Sequence, residues 1–210
     1  MKKRTPLAPV IPSLDELDYL TLDDEQTIDG IQLVDQDLSY QDVHSLLVRQ
    51  SVFQRVIMQR NHLVRFECSN VRFECCDFSN TEFIGGSFHQ VVFHQCKLTG
   101  TNFAEGYLRD CVFEDCLGDY ASFSATNIKD IHFQNTSLEQ SDFFELTWKH
   151  LLIQHANLTG SNWLRTKLQG LDFTSNTFDS LLFSPENLKG LIVTPEQGLL
   201  IASTLGLIIE

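Results

Sequence analysis

The sequence predicts an all-β solenoid, and three observations lead there. Apolar residues recur at every fifth position through most of the chain, small residues recur two positions ahead of them, and helix signals are confined to the ends. A five-residue period matches neither a helix nor an alternating strand. It is too short to hold a helix, so each unit is a brief extended stretch followed by a turn. Such units bury their centres only by coiling and stacking on one another.

The phenylalanines carry the signal. Fourteen of the 16 fall in one class modulo five: Phe53, Phe73, Phe78, Phe83, Phe88, Phe93, Phe103, Phe113, Phe123, Phe133, Phe143, Phe173, Phe178 and Phe183. The class is filled elsewhere by Leu33, Leu38, Val43, Val48, Met58, Leu63, Leu98, Leu108, Ile128, Leu138, Trp148, Ile153, Leu158, Trp163, Leu168, Leu188 and Val193. Between residues 33 and 193 only Cys68 and Gly118 break it, and Gly118 at a centre marks an expected local kink. Two positions earlier stand Ser51, Thr81, Gly86, Thr101, Gly106, Ala121, Thr126, Thr136, Ser141, Ala156, Ser161 and Thr166, which read as a second inward position in a narrow lumen. The other three positions of each unit are mostly polar and face water.

Units such as Cys76-Asp77-Phe78-Ser79-Asn80, Thr101-Asn102-Phe103-Ala104-Glu105 and Ala156-Asn157-Leu158-Thr159-Gly160 resemble the pentapeptide-repeat family. The resemblance covers about three quarters of the chain. It implies a right-handed quadrilateral β-helix with one unit per face, four units per coil and about eight coils. At about 4.8 Å per coil the rod is on the order of 40 Å long. The expected layout is a capping or leader segment over 1–27, the β-helix over 28–193, and a helix with an apolar, dimerising tail over 194–210.

Solenoid ends need caps. Thr194-Pro195-Glu196-Gln197 reads as a capped helix start, and the helix is expected to run to about Leu205 and stop at Gly206. Leu199, Leu200, Leu205, Leu207, Ile208 and Ile209 are more apolar surface than one small helix hides. They read either as a plug for the last coil or as a plug that also joins two copies end to end, and the homodimer is adopted. At the other end, Ser13-Leu14-Asp15-Glu16 matches a capping box, so a short helix over 14–20 is expected, with Leu14, Leu17, Tyr19 and Leu20 on the open first coil. A partly disordered leader is the competing reading. Met1-Lys2-Lys3-Arg4 is followed by Pro6, Pro9 and Pro12 rather than an apolar stretch, so no signal peptide is read and the expected compartment is the cytoplasm.

The 210 residues hold 28 acids against 15 Lys and Arg, a net charge of −13. That excludes direct nucleic-acid binding and docking on anionic membrane, and points to a basic partner or to solubility alone. With twenty residues per coil, Arg49, Ser69, His89, Arg109, Lys129, Lys149, Gln169 and Lys189 stack into a basic ridge on one face. The opposite face carries Asp37, Asp77, Asp119, Glu139 and Asp179, and an adjacent one Glu74, Glu114 and Asp115. Beside the latter, Val52, Val92, Val112 and Leu152 line up as an outward apolar column. Spaced carboxylates on a rigid rod imitate the phosphates of a duplex, though more sparsely than DNA itself.

Cys76, Cys96, Cys111 and Cys116 occupy the small inward position and Cys68 a centre, so buried free thiols are expected rather than a metal site or disulfides. The seven His are dispersed, and no phosphate loop, nucleophile elbow or zinc motif occurs. No enzymatic activity and no cofactor are expected. The ending Thr194-Pro195-Glu196-Gln197 with Leu199-Leu200 and Leu205-Gly206-Leu207-Ile208-Ile209 resembles the Qnr-type group of bacterial quinolone-resistance determinants. Size and an unbroken repeat point within it to the chromosomal enterococcal form. The resemblance implies a dimeric DNA mimic that binds DNA gyrase and topoisomerase IV, inhibiting them or protecting them from quinolones. The alternatives are a scaffold or immunity protein with another basic partner, and an inert structural rod. Better-known plasmid-borne members interrupt the repeat with two loops important for protection. The phase here never slips between 33 and 193, which leaves no room for them.

Overall fold

The structure, a computed structural model, describes residues 4–209; Met1 to Lys3 and Glu210, which fall in the expected leader and tail, lie outside the described residues. The chain winds as a parallel β-solenoid of about eight turns with one C-terminal helix, Pro195–Thr204. Within the repeat, paired residues are twenty apart. Leu33 stands against Phe53, Phe53 against Phe73, and the series continues through Phe93, Phe113 and Phe133 to Ile153.

Corners set this register. From Glu25 to Gly170 the last residue of each unit takes a left-handed backbone, and 25 of these are non-glycine residues with φ between 45° and 60°. Side-chain-bearing residues avoid that region by about 1 kcal/mol or more each, so the packing on either side must outweigh it. On two faces the corner is a hydrogen-bonded turn: Thr81 N donates to Phe78 O at 2.9 Å, with Asn80 at the left-handed third position, as a type II turn requires. On the other two faces the strand continues around the corner, giving the eight-residue strands Glu67–Glu74, Ser87–His94, Tyr107–Glu114, Asn127–Gln134 and Thr147–Gln154.

Two aromatic stacks fill the lumen. Phe93, Phe113 and Phe133 lie face to face at 4.9 and 4.7 Å, and Phe103, Phe123 and Phe143 do so at 5.1 and 5.3 Å, with Trp163 continuing at 4.2 Å. Across the lumen the stacks meet edge to face, as Phe113 and Phe123 do at 5.8 Å, so each ring presents its edge to a π face. The small inward residues do more than save space. Thr101, Thr126 and Thr136 donate to the carbonyls of Phe78, Phe103 and Phe113 one coil back, at 2.8, 3.0 and 3.1 Å. Asn61 and Asn176 reach Leu38 O and Ile153 O in the same way, both at 3.0 Å.

Three expectations are corrected. Residues 14–20 form no helix: Asp15–Leu17 is a strand paired with Ile31–Val34, because an exposed first coil offers unpaired backbone that a strand satisfies and a helix does not. Leu17 packs on the core and Leu20 is buried, but Tyr19 faces solvent. Gly118 makes no kink. Its N–H donates to Ser137 O at 2.8 Å, and a Cβ there would meet Leu138 Cδ2 at 3.1 Å, so the Leu138 side chain fills the missing volume. Trp148 is only partly buried; its Nε1 donates to Lys167 O at 2.6 Å, and the long-strand ladder ends at its coil.

Phe113→Ala should cost about 3–5 kcal/mol in urea unfolding, because rings at 4.9 and 4.7 Å on either side hold the cavity open. A loss below about 1 kcal/mol would show that the stack collapses into the gap.

Candidate partner-binding faces

Asp37, Asp77, Asp119, Glu139 and Asp179 do share one face, in two adjacent columns. The column ahead of the centres runs Asp37, Ile57, Asp77, Lys97, Leu117, Ser137, Asn157 and Thr177, each bridged to the next. It is therefore acidic only in part, and Lys97 Nζ lies 3.5 Å from the Asp77 carboxylate. Asp77 also accepts from Ser79 N at 2.9 Å, Ser79 Oγ at 2.6 Å and Gln59 Nε2 at 2.7 Å. Partial burial raises its pKa, but these donors and Lys97 outweigh that and hold it below the usual carboxylate range. In the second column Asp119 accepts from the Ser137 hydroxyl and, at 3.1 Å, from Glu139 N, while Glu139 accepts from Asn157 Nδ2 at 3.3 Å. Asp37 and Asp179 are exposed near the two ends.

Glu74 and Glu114 stand on one column with His94 between them, and Glu74 is paired with Arg72. Asp115 lies at the following corner, 3.0 Å from Asn135 Nδ2 and 3.8 Å from His94 Nε2. The adjacent apolar column is interrupted: Val52, Arg72, Val92, Val112, His132 and Leu152 follow in register.

Of the expected basic ridge, the stretch from Arg49 to Lys149 is in register; Gln169 and Lys189 are not strand partners of it. Arg49, Ser69, His89, Arg109, Lys129 and Lys149 are successive register partners. Two of the four acids that share this face in sequence (Glu67, Asp110, Asp130 and Glu186), Asp110 and Asp130, are 1% and 0% exposed at the corner beside the ridge. They are covered by residues 4–10, a placement the sequence reading missed. That segment lies along the rod instead of over its open end. Proline at 6 and 9 denies it the N–H groups of a ladder strand, the one local signal that it stays outside the sheet.

At the other end Thr194 and Gln197 form the reciprocal capping box, and Gln197 Nε2 bolts the helix to the last coil through Phe173 O at 2.9 Å and Asn176 O at 2.8 Å. Leu199, Leu200, Leu205, Leu207, Ile208 and Ile209 remain exposed, Ile208 by 92%. Among the described residues no helix is long and apolar enough to cross a membrane, and no group of three His, Cys, Asp or Glu is placed to hold a metal ion.

With register and corners established, comparison with known proteins agrees on the repeat. A pentapeptide repeat region matches residues 86–163, and pentapeptide repeats match residues 67–100. Residues 67–163 are pentapeptide repeats. No curated protein matches the chain. Among solved structures, full-length QnrB1, a plasmid-mediated fluoroquinolone resistance protein, is 11% identical, with 84% of this chain and 100% of that one covered and a TM-score of 0.49. HetL, a pentapeptide repeat protein involved in heterocyst differentiation regulation in the cyanobacterium Nostoc, is 11% identical over 76% and 85% of the two chains, with a TM-score of 0.29. A pentapeptide repeat protein of the Arabidopsis thaliana thylakoid lumen is 21% identical over 45% and 66%, with a TM-score of 0.24.

All six cysteines are free, and five of them, Cys68, Cys76, Cys96, Cys111 and Cys116, are buried packing residues of the repeat. Burial pushes the Cys111 thiol up to about 12 and raises Cys68 and Cys96 well above the usual range. Cys75, at a corner, is the exposed one. A thiol reagent should therefore titrate one cysteine in the native protein and six after denaturation. Rapid reaction of a second thiol in the native state would contradict the packing described.

Proposed function

We propose that this protein is a Qnr-type, DNA-mimicking homodimer that engages DNA gyrase and topoisomerase IV through its acidic faces and acts by binding, not catalysis. The observation that carries the reading is the fixing of its carboxylates. Asp77, Asp119 and Glu139 sit on a stacked backbone, and serine, asparagine, glutamine and main-chain donors hold them. Acceptors already held in place lose little freedom on binding, and a basic DNA groove is steered toward them. The ending Thr194–Ile209 and its resemblance to the Qnr-type group support this choice of partner over other basic ones. The exposed leucines and isoleucines behind the capped helix support end-to-end pairing.

A gyrase supercoiling titration, with and without a quinolone, tests the partner. Direct inhibition supports mimicry, relief of drug inhibition supports protection, and no effect in either arm favours a scaffold with a different partner. Reversing Asp77, Asp119 and Glu139 together to Lys should abolish inhibition with the β-sheet circular dichroism intact; undiminished inhibition would sink the acidic-face reading. Leu205→Asp with Ile208→Asp should convert a dimer to a monomer in light scattering, and a wild-type monomer at micromolar concentration would remove the end-to-end dimer.

A further inference from the structure

The corner beside the basic ridge is built like a peptide site, and the chain's own segment lies in it. Four coils contribute one side chain each to a line along the rod: Asn70, Gln90, Asp110 and Asp130. Asn70 Oδ1 accepts from Val10 N at 2.9 Å, Gln90 Nε2 donates to Ala8 O at 3.0 Å, and Asp110 Oδ1 accepts from Leu7 N at 3.0 Å. Arg4 Nε lies 3.6 Å from Asp130 Oδ1. The coils thus read an extended backbone through its amides and carbonyl, and read one cation at the end.

The fit of this segment is poor in three respects. Leu7 and Val10 leave their side chains largely in solvent, and Pro6 is the one well-buried residue between Arg4 and Val10. Covering the corner takes two carboxylates out of water, which is unfavourable unless each finds full compensation. Asp110 has Arg109 Nε at 3.3 Å and His89 Nε2 at 3.9 Å besides the Leu7 amide. Asp130 has His150 Nδ1 at 2.6 Å and the distant Arg4, both on Oδ1, and its Oδ2 has no hydrogen-bond partner among the described residues. A fully buried carboxylate oxygen without a donor is costly, and this segment does not supply that donor.

We propose that the Asn70–Gln90–Asp110–Asp130 corner is a binding groove for an extended basic peptide of another protein, closed in cis by residues 4–10. The occupant supplies main-chain groups to Asn70, Gln90 and Asp110, and an arginine or lysine able to satisfy both oxygens of Asp130. Displacing the cis segment is the step that opens the groove. It is distinct from the face of Asp77, Asp119 and Glu139, and it adjoins the face of Glu74 and Glu114, which shares the strands Glu67–Glu74 and Tyr107–Glu114.

The test uses the full chain carrying Arg4→Gln and Leu7→Pro, which removes the cis cation and the amide on Asp110. The probes are fluorescein-labelled decamers: one with the sequence Arg4 to Ser13, and one keeping only its first Arg and its prolines, with Gly and Ser elsewhere. Anisotropy should show both decamers binding the released chain at least about tenfold more tightly than the wild type, whose groove is occupied most of the time. Adding Asp110→Asn and Asp130→Asn should lose that gain. Equal affinity of released and wild-type chains would overturn the proposal, as would binding that survives the asparagine pair. Binding of the cognate decamer alone would also overturn it, leaving only a fastening for this chain's own segment. If the released chain loses its β-sheet dichroism, hydrogen exchange on the wild type decides. Leu7 and Val10 amides should exchange at least about a hundredfold faster than that of Phe113, and equal protection would overturn a displaceable segment.

Discussion

The rod rests on the left-handed corner that recurs at every fifth residue from Glu25 to Gly170. It turns the chain once per unit and returns it after twenty residues to the same register, so one local conformation becomes a ladder in which like stands on like. The corner is locally unfavourable for the Arg, Gln, Tyr and His residues that occupy it. What outweighs it is non-local: the aromatic stacks on the inner side and the coil-to-coil hydrogen bonds on either side. A corner and its neighbouring coil are therefore stable together and not apart, as expected of a quasi-one-dimensional solenoid.

That coupling decides what the surface can offer. Side chains cannot converge into a deep pocket, because neighbouring faces diverge at every corner; they can only form columns at the coil spacing of about 4.8 Å. His89 and His94 illustrate this: one unit apart, they turn to Asp110 and Asp115 respectively. A surface of columns suits recognition of something long and regular far better than it suits catalysis. It also pins some of its side chains, as where Asn135 one coil above holds Asp115 and Ser137 holds Asp119.

Much of this was legible because the period is one-dimensional information. The centres, the inward small residues, the twenty-residue columns and the Thr194–Gln197 capping box all follow from residue type and spacing. What was not legible depends on contacts distant in sequence. Asp15–Leu17 carries a helix-start pattern yet pairs as a strand, since the exposed edge of Ile31–Val34 outbids local propensity. Gly118 looked like a break, and only Leu138 one coil away shows why it is not. The hydrogen bonds of Thr101 or Asn61 to carbonyls one coil back could have been anticipated, because a polar residue in an apolar lumen must find a partner. The left-handed corners left a weaker trace in the Gly, Asn and Asp found at multiples of five.

Tertiary contacts most alter the charge that the ridge face presents. In sequence, Asp110 and Asp130 dilute the basic ridge; in the fold they lie beneath residues 4–10 and face Arg4, Arg109, His89 and His150 instead of solvent. The two acids are thus withdrawn from the surface of the ridge face, Asp110 while still paired with Arg109. The same burial makes the segment a costly cover, because carboxylates that water would otherwise solvate must be satisfied by a few protein donors. The charge of the ridge face and the placement of residues 4–10 are therefore linked: lifting the segment would return Asp110 and Asp130 to solvent beside the ridge.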